Sequence, residues 1–281
     1  MLKSLNKKAP RTASKVWQPT EAQLADAAEG PASMQDQVKK ILDQGAVGAC
    51  TAFGWAGAMA LVYLLKYGAP TWVSMLYLYY YERLLMGTPD EDSGAEVWHG
   101  AKVLTERGAP LETSYPYSDD GVKFKKRPPA SLDEEAKNYK ISGAVEVSPV
   151  VSHIKAALKG NHPVVFGFMV YESFESSKTA RTGVVSMPEP GEAMLGGHCV
   201  YAVGYTDSKG DIHKTGVHGW KQNLFGFFSN RQKSSPPPNC LIAVNSWGKS
   251  WGNEGFFYLP WEFVEKYAAD FHIFASVSLP K

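Results

Sequence analysis

QGAVGACTAFGWAGAMALVYLLKYG, residues 44 to 68, joins a glycine-punctuated turn to a long apolar run, with one cysteine at the junction. From Ala49 to Tyr67 there is no proline, and small residues alternate with Phe53, Trp55, Met59, Leu61, Leu64 and Leu65. Apolar character on nearly every side predicts a helix buried inside a domain. Cys50 falls on its first turn, where unpaired amides and the positive end of the helix dipole favour thiolate over thiol. Taken alone, such a cysteine is equally a small buried hydrophobe.

Two distant stretches supply what a cysteine nucleophile lacks: LGGHCVYAVGY, residues 195 to 205, and VNSWGKSWGNEGFFYLP, residues 244 to 260. A thiolate needs a histidine to take and return a proton, and the histidine needs a polar partner that fixes its ring. His198 and Asn245 are candidates for those roles. With them in place, the chain from about Gln44 onward resembles the papain-like cysteine peptidases. In that family a glutamine lies six residues before the nucleophile, the cysteine starts a central helix, and histidine and asparagine follow on adjacent strands. Gln44, Cys50, His198 and Asn245 fit in that order, and Asn245, Ser246, Trp247, Gly248, Trp251 and Gly252 match the asparagine motif.

The resemblance implies an α+β, papain-like two-lobe fold: a helical lobe, residues 36–140, carrying Cys50, and an antiparallel, barrel-like β lobe, residues 141–281, carrying His198 and Asn245. It implies a resting thiolate and imidazolium, an oxyanion held by the Cys50 amide and the Gln44 side chain, and Trp247 shielding the bond between His198 and Asn245. Thr51 stands where eukaryotic members commonly have tryptophan; bacterial relatives accept threonine, and the chain reads as bacterial in type. Aligned on Trp98, Gly94 and Ala95 fall where the substrate backbone is clamped, Ala95 replacing a second glycine. Gly167 and Gly197 fall at the pocket for the side chain two residues before the scissile bond, which is therefore expected to be roomy and apolar and to accept Leu, Val, Phe or Tyr.

The rest of the chain is consistent with a large globular body: 281 residues, 44% apolar and 20% charged. A net charge of +1 gives no footprint for nucleic acid, and no apolar run reaches the roughly 20 residues of a membrane span. The N-terminus is basic but lacks the hydrophobic segment of a standard secretory signal, so synthesis in the cytoplasm is expected, with any export non-classical. Three cysteines cannot all pair, and Val47 occupies the position where secreted papain-like enzymes carry a further cysteine. A fold without disulfides, made in a reducing compartment, is the expectation.

Residues 1–35, with five Lys or Arg in the first 15 positions, read as a loose extension or a short inhibitory segment over the active site. Residues 71 to 87 are helical in spacing and resemble the segment that packs beside the central helix in bacterial members of the family, and a second helix ends at Gly108. Tyr115, Pro116 and Tyr117 reproduce a family landmark closing the helical lobe, and residues 121–138 read as a polar linker. Short β-branched runs then predict strands. An insertion, residues 206–239, holds Trp220, Phe225, Phe227 and Phe228 and reads as a surface loop or a flap bordering the cleft.

Other chemistries fit less well. His198, Cys199 and Cys240 lack zinc spacing, since neighbours on a strand face opposite ways, and Trp247-Gly248-Lys249-Ser250 lacks the first glycine of a phosphate loop at Ala243. No metal or cofactor is expected. The reading is an endopeptidase acting on peptides or proteins through a thioacyl-enzyme. The alternatives are an acyltransferase, ligase or deamidase using the same residues, and a non-catalytic binding protein on this scaffold.

Overall fold

In chain order the elements are β1 (Val16–Trp17), α1 (Glu21–Ala28), β2 (Ala32–Ser33), α2 (Cys50–Tyr67), α3 (Met75–Met86), α4 (Val97–Glu106), α5 (Leu132–Ala136), β3 (Ile141–Val147), α6 (Val151–Lys159), β4 (Val164–Tyr171), α7 (Ser177–Thr182), β5 (Met194–Tyr205), β6 (Cys240–Val244), β7 (Phe256–Pro260), α8 (Trp261–Tyr267) and β8 (Ala268–Val277). The computed structural model describes residues 15–212 and 235–277.

The predicted central helix is α2, buried at every residue from Cys50 to Leu61. It stops at Gly68, whose φ of 81° lets its amide close onto the Leu64 carbonyl. Two internal glycines set how closely it packs. A methyl on Gly57 would fall 2.6 Å from the Tyr201 ring, and one on Gly54 would fall 3.1 Å from the Cys199 sulfur. Glycine at both positions lets the helix backbone ride directly on β5, the strand that carries His198.

Helices α3 and α4 pack beside α2. Ser74 caps α3 by accepting the Tyr77 amide at 3.1 Å. The stretch read as a polar linker folds onto this layer: Phe124 is buried, and Asp133 accepts the Tyr77 hydroxyl at 2.7 Å and pairs with Arg107 at 3.1 Å.

The strands form one sheet in the order β1-β3-β8-β4-β5-β6-β7, with β2 beside the far end of β5. Pairing is antiparallel except between β1 and β3. The sheet stays open, with β1 and β7 at its edges, where a barrel-like lobe is the expectation from the strand pattern. The fold is α+β as expected.

The described part of the N-terminal segment differs from a loose extension. Thr20 and Gln23 form a reciprocal capping box that starts α1, Ala27 is buried, and the Tyr205 hydroxyl donates to the Ala27 and Gly30 carbonyls at 3.0 and 2.8 Å. The Met34 amide then binds the Val203 carbonyl at 2.7 Å. Residues 1–14 lie outside the described residues, as does most of the insertion with its aromatic residues Trp220, Phe225, Phe227 and Phe228. The stem of the insertion is stapled, since Thr206 donates to the Pro237 carbonyl at 2.7 Å and accepts the Cys240 amide at 2.9 Å.

Candidate active site

The candidate residues are carried by α2, β5 and the segments after β6 and before α2. His198 lies within β5, paired with Phe168 of β4, and Asn245 follows the last residue of the adjacent β6. The imidazole Nε2 meets Asn245 Oδ1 at 2.8 Å, and the Ser246 amide donates to the same oxygen at 2.8 Å. An amide oxygen only accepts, so the ring proton belongs on Nε2 and Nδ1 keeps its lone pair. Trp247 lies over the imidazole with centroids 5.0 Å apart, and Phe174 and Trp251 pack on Trp247 at 5.5 and 5.1 Å. This aromatic wall keeps water from the bond between histidine and asparagine.

Gln44 is tied to the strand that carries Asn245. Its amide donates to the Ser246 carbonyl at 2.8 Å, and the Ser246 hydroxyl donates to its Oε1 at 2.5 Å. Its Nε2 gives one hydrogen to the Val47 carbonyl at 2.9 Å, and the second hydrogen on that nitrogen remains for a ligand. The Tyr117 hydroxyl donates to the Gln44 carbonyl at 2.7 Å while its ring meets Phe53 edge-on at 4.7 Å. The turn between Gln44 and Cys50 is anchored on its other flank, where Asp92 accepts the Gly48 amide through both oxygens at 3.1 Å.

Cys50 opens α2 and is 8% exposed; His198 is 7% exposed. Desolvation pushes the thiol up to about 11, opposed by amides of Cys199, Thr51 and Cys50 that favour thiolate and reinforced by the nearby Glu82 carboxyl. Burial pulls His198 down to about 4, only partly offset by its bond to Asn245. Burial thus works against either charge taken singly, while the helix amides favour the thiolate and the Asn245 bond favours the imidazolium.

The expected substrate-binding residues fall on the loop before α4 and on β4 and β5. Gly94 is buried, with φ of 67°, and its amide donates to the Tyr79 hydroxyl at 3.1 Å; Ala95 beside it is half-buried. Gly167 pairs with Cys199 and Gly197 with Met169. A methyl on Gly167 would come within 3.2 Å of Val97 at the head of α4, so glycine there lets Val97 pack directly against β4.

Sequence reasoning missed the supports. Ser246 sits inside the asparagine motif and Tyr117 inside the tyrosine landmark, yet nothing local says that either reaches Gln44. Asp92, Tyr79 and Glu82 carried no signal beyond composition. Among the described residues, no group of three or more His, Cys, Asp or Glu could hold a metal ion, and no helix is long and apolar enough to cross a membrane.

A cysteine at the head of a buried helix, together with a histidine on β5 bonded to the asparagine that follows the neighbouring β6, is the arrangement expected of a cysteine hydrolase of α+β architecture. The chain belongs to the papain family of cysteine proteases, whose signature it matches over residues 25–268. It is similar to the uncharacterized peptidase C1-like protein L477 of Acanthamoeba polyphaga mimivirus, 35% identical over 250 residues, covering 85% of this chain and 70% of that one. It is 26% identical to cathepsin J of Rattus norvegicus over 225 residues, 78% of this chain and 56% of the rat protein. Among solved structures it is similar to xylellain, a cysteine protease from Xylella fastidiosa: TM-score 0.78, 26% identity, covering 97% of this chain and 95% of that one.

Proposed function

We propose that this cysteine protease cleaves internal peptide bonds through Cys50, His198, Asn245 and Gln44. The observation that carries the reading is the 2.8 Å bond from His198 Nε2 to Asn245 Oδ1, which leaves Nδ1 as the proton acceptor beside the helix that Cys50 heads. The sulfur transfers its proton to Nδ1 and attacks the peptide carbonyl. The resulting oxyanion is met by the Cys50 amide and the spare hydrogen on Gln44 Nε2. The imidazolium then protonates the leaving amine, and the neutral ring activates water to release the acyl group.

Gly94, Ala95, Gly167, Gly197 and Trp247 line the substrate cleft in this reading, with a roomy apolar pocket near Gly167 and Gly197. An epoxysuccinyl inhibitor should add one mass equivalent to the wild type at Cys50 and none to Cys50→Ala. Fluorogenic dipeptides with Leu, Val, Phe or Tyr ahead of the cleaved residue should be the better substrates. A preference for Arg or Glu there would refute the pocket assignment, and absence of labelling would refute the nucleophile.

We also propose that residues 1–35 restrain the enzyme. Their described part is held in the sheet and against α6, so the restraint would rest with residues 1–14. Purified wild type should shorten on incubation and gain activity while Cys50→Ala stays full length; unchanged activity after shortening would count against it.

A further inference from the structure

Glu82 of α3 has no solvent exposure and lies behind the turn that carries the nucleophile. Its Oε2 accepts the hydroxyl of Thr51, the residue after Cys50, at 2.6 Å. Its Oε1 has no hydrogen-bond partner. That oxygen is walled in by α4 and Trp55: a methyl on Gly100 would fall 2.7 Å from it and 2.2 Å from Trp55 Cδ1. Trp55 gives its N–H to the Val97 carbonyl at 2.7 Å and has none left for the carboxyl. The adjacent cation, Arg83, is taken up by the carbonyls of Tyr79, Pro89, Glu91 and Phe124.

A carboxylate in this position would leave a charged oxygen without a donor in a dry interior, whereas the acid leaves a neutral one. The packed elements offer little to offset that charge. Helix α2 presents Cys50 and Thr51, α3 contributes Arg83, α4 presents the Gly100 backbone, and β5 brings Cys199, which Asp270 of β8 also influences. A negative charge on Glu82 acts against a thiolate at Cys50.

We propose that Glu82 is a positioning residue held as the neutral acid behind the nucleophile, and that its ionisation at alkaline pH turns off thiolate formation at Cys50. The proposal rests on Cys50 being the nucleophile. Losing its proton to solvent converts a neutral support of the Thr51 hydroxyl into a charge facing the sulfur. Burial pushes this carboxyl up to about 8, against the Thr51 bond and Arg83.

Glu82→Gln keeps an oxygen for Thr51 and removes the charge. The pH profiles of Cys50 alkylation by a neutral reagent and of kcat/KM should keep their acid limb in this variant, and the alkaline limb should move up by roughly one unit. Superimposed alkaline limbs overturn the proposal. The wild type should also show the infrared carbonyl band of a protonated buried carboxyl at pH 7, lost by pH 9 as the group titrates near 8. A band already missing at pH 7 overturns it as well. Should Glu82→Gln not fold, Thr51→Val serves instead: without its donor the carboxyl should hold its proton to higher pH, and an unmoved band counts against the idea. The infrared readings need no turnover, so they decide the state of Glu82 even if the chain cleaves no peptide.

Discussion

The first turn of α2 has two differently built surroundings. On the side facing β5 and β6, the His198, Gln44 and Asn245 oxygen contacts are made by neighbours that also fix their orientation. On the side facing α3 and α4, a fully buried carboxyl has one oxygen bonded and one bare. The contrast separates what geometry must hold still from what charge must keep quiet. Orientation in front depends on hydrogen bonds between segments about 200 residues apart, whereas the environment behind is governed by how little water and how few donors reach it.

The largest effects should come from the front. Gln44→Ala removes the proposed oxyanion donor and should lower kcat about 100-fold to 1000-fold, with KM much less affected. Ser246→Ala leaves Gln44 in place but frees its carboxamide, so a loss of about tenfold is expected, the worth of one buried hydrogen bond. Equal losses in the two variants would mean that Ser246 does more than orient. No loss in Ser246→Ala would mean that the Val47 carbonyl alone is enough.

The back should show itself in stability as well as in the alkaline limb of the rate. A carboxyl whose folded pKa is raised binds its proton more tightly in the native state, so its contribution is fully present below the unfolded value and is lost as pH rises through the folded one. From the ordinary 4.5 to about 8, the wild type should lose about 1.4 kcal/mol per pH unit through Glu82. Denaturant unfolding of Glu82→Gln across the same range should lack that slope. Parallel curves would place the ionisation elsewhere and dissolve the contrast between the two sides.

How much of this was legible in the sequence follows the same division. The buried helix, its boundary at Gly68 and the order of Gln44, Cys50, His198 and Asn245 could be read because periodicity and the asparagine motif are local features. The α+β class followed from the change to short β-branched runs. Residues 16–33 were not legible as part of the sheet, because strands of two residues leave no pattern and the Tyr205 hydroxyl that fixes α1 comes from far along the chain. The deep burial of Cys50 and His198 was invisible for a related reason: a helix dipole can be inferred from position, but desolvation depends on everything packed around the site. Glu82 looked like one more helical glutamate.

Between the two sides runs the contact of α2 with β5, and it can be loosened without touching either. Gly57→Ala puts a methyl against the Tyr201 ring at 2.6 Å, where the helix and strand are closest. Overpacking of this kind should cost about 1 to 3 kcal/mol in unfolding experiments. Because Gly57 is two turns from Cys50, a matching loss in kcat would show that the front depends on the spacing of helix and strand as well as on its hydrogen bonds. Unchanged turnover with reduced stability would show that the bonds hold the site by themselves.

The smallest effect tests whether the flank beside the front is joined to it. The Tyr79 hydroxyl accepts the Gly94 amide at 3.1 Å and donates to Asp92, which in turn holds the Gly48 amide of the turn before Cys50. One phenol thus connects the expected substrate clamp to the turn that carries Gln44 and the nucleophile. Tyr79→Phe keeps the buried ring and deletes this connection, so stability should fall by about 1 kcal/mol. If the connection serves binding, KM for an extended peptide should rise while that for a short substrate that does not reach Gly94 stays the same. Equal changes for both substrates would place the role of Tyr79 in the turn alone, since a loosened Gly48 affects every acyl transfer regardless of substrate length.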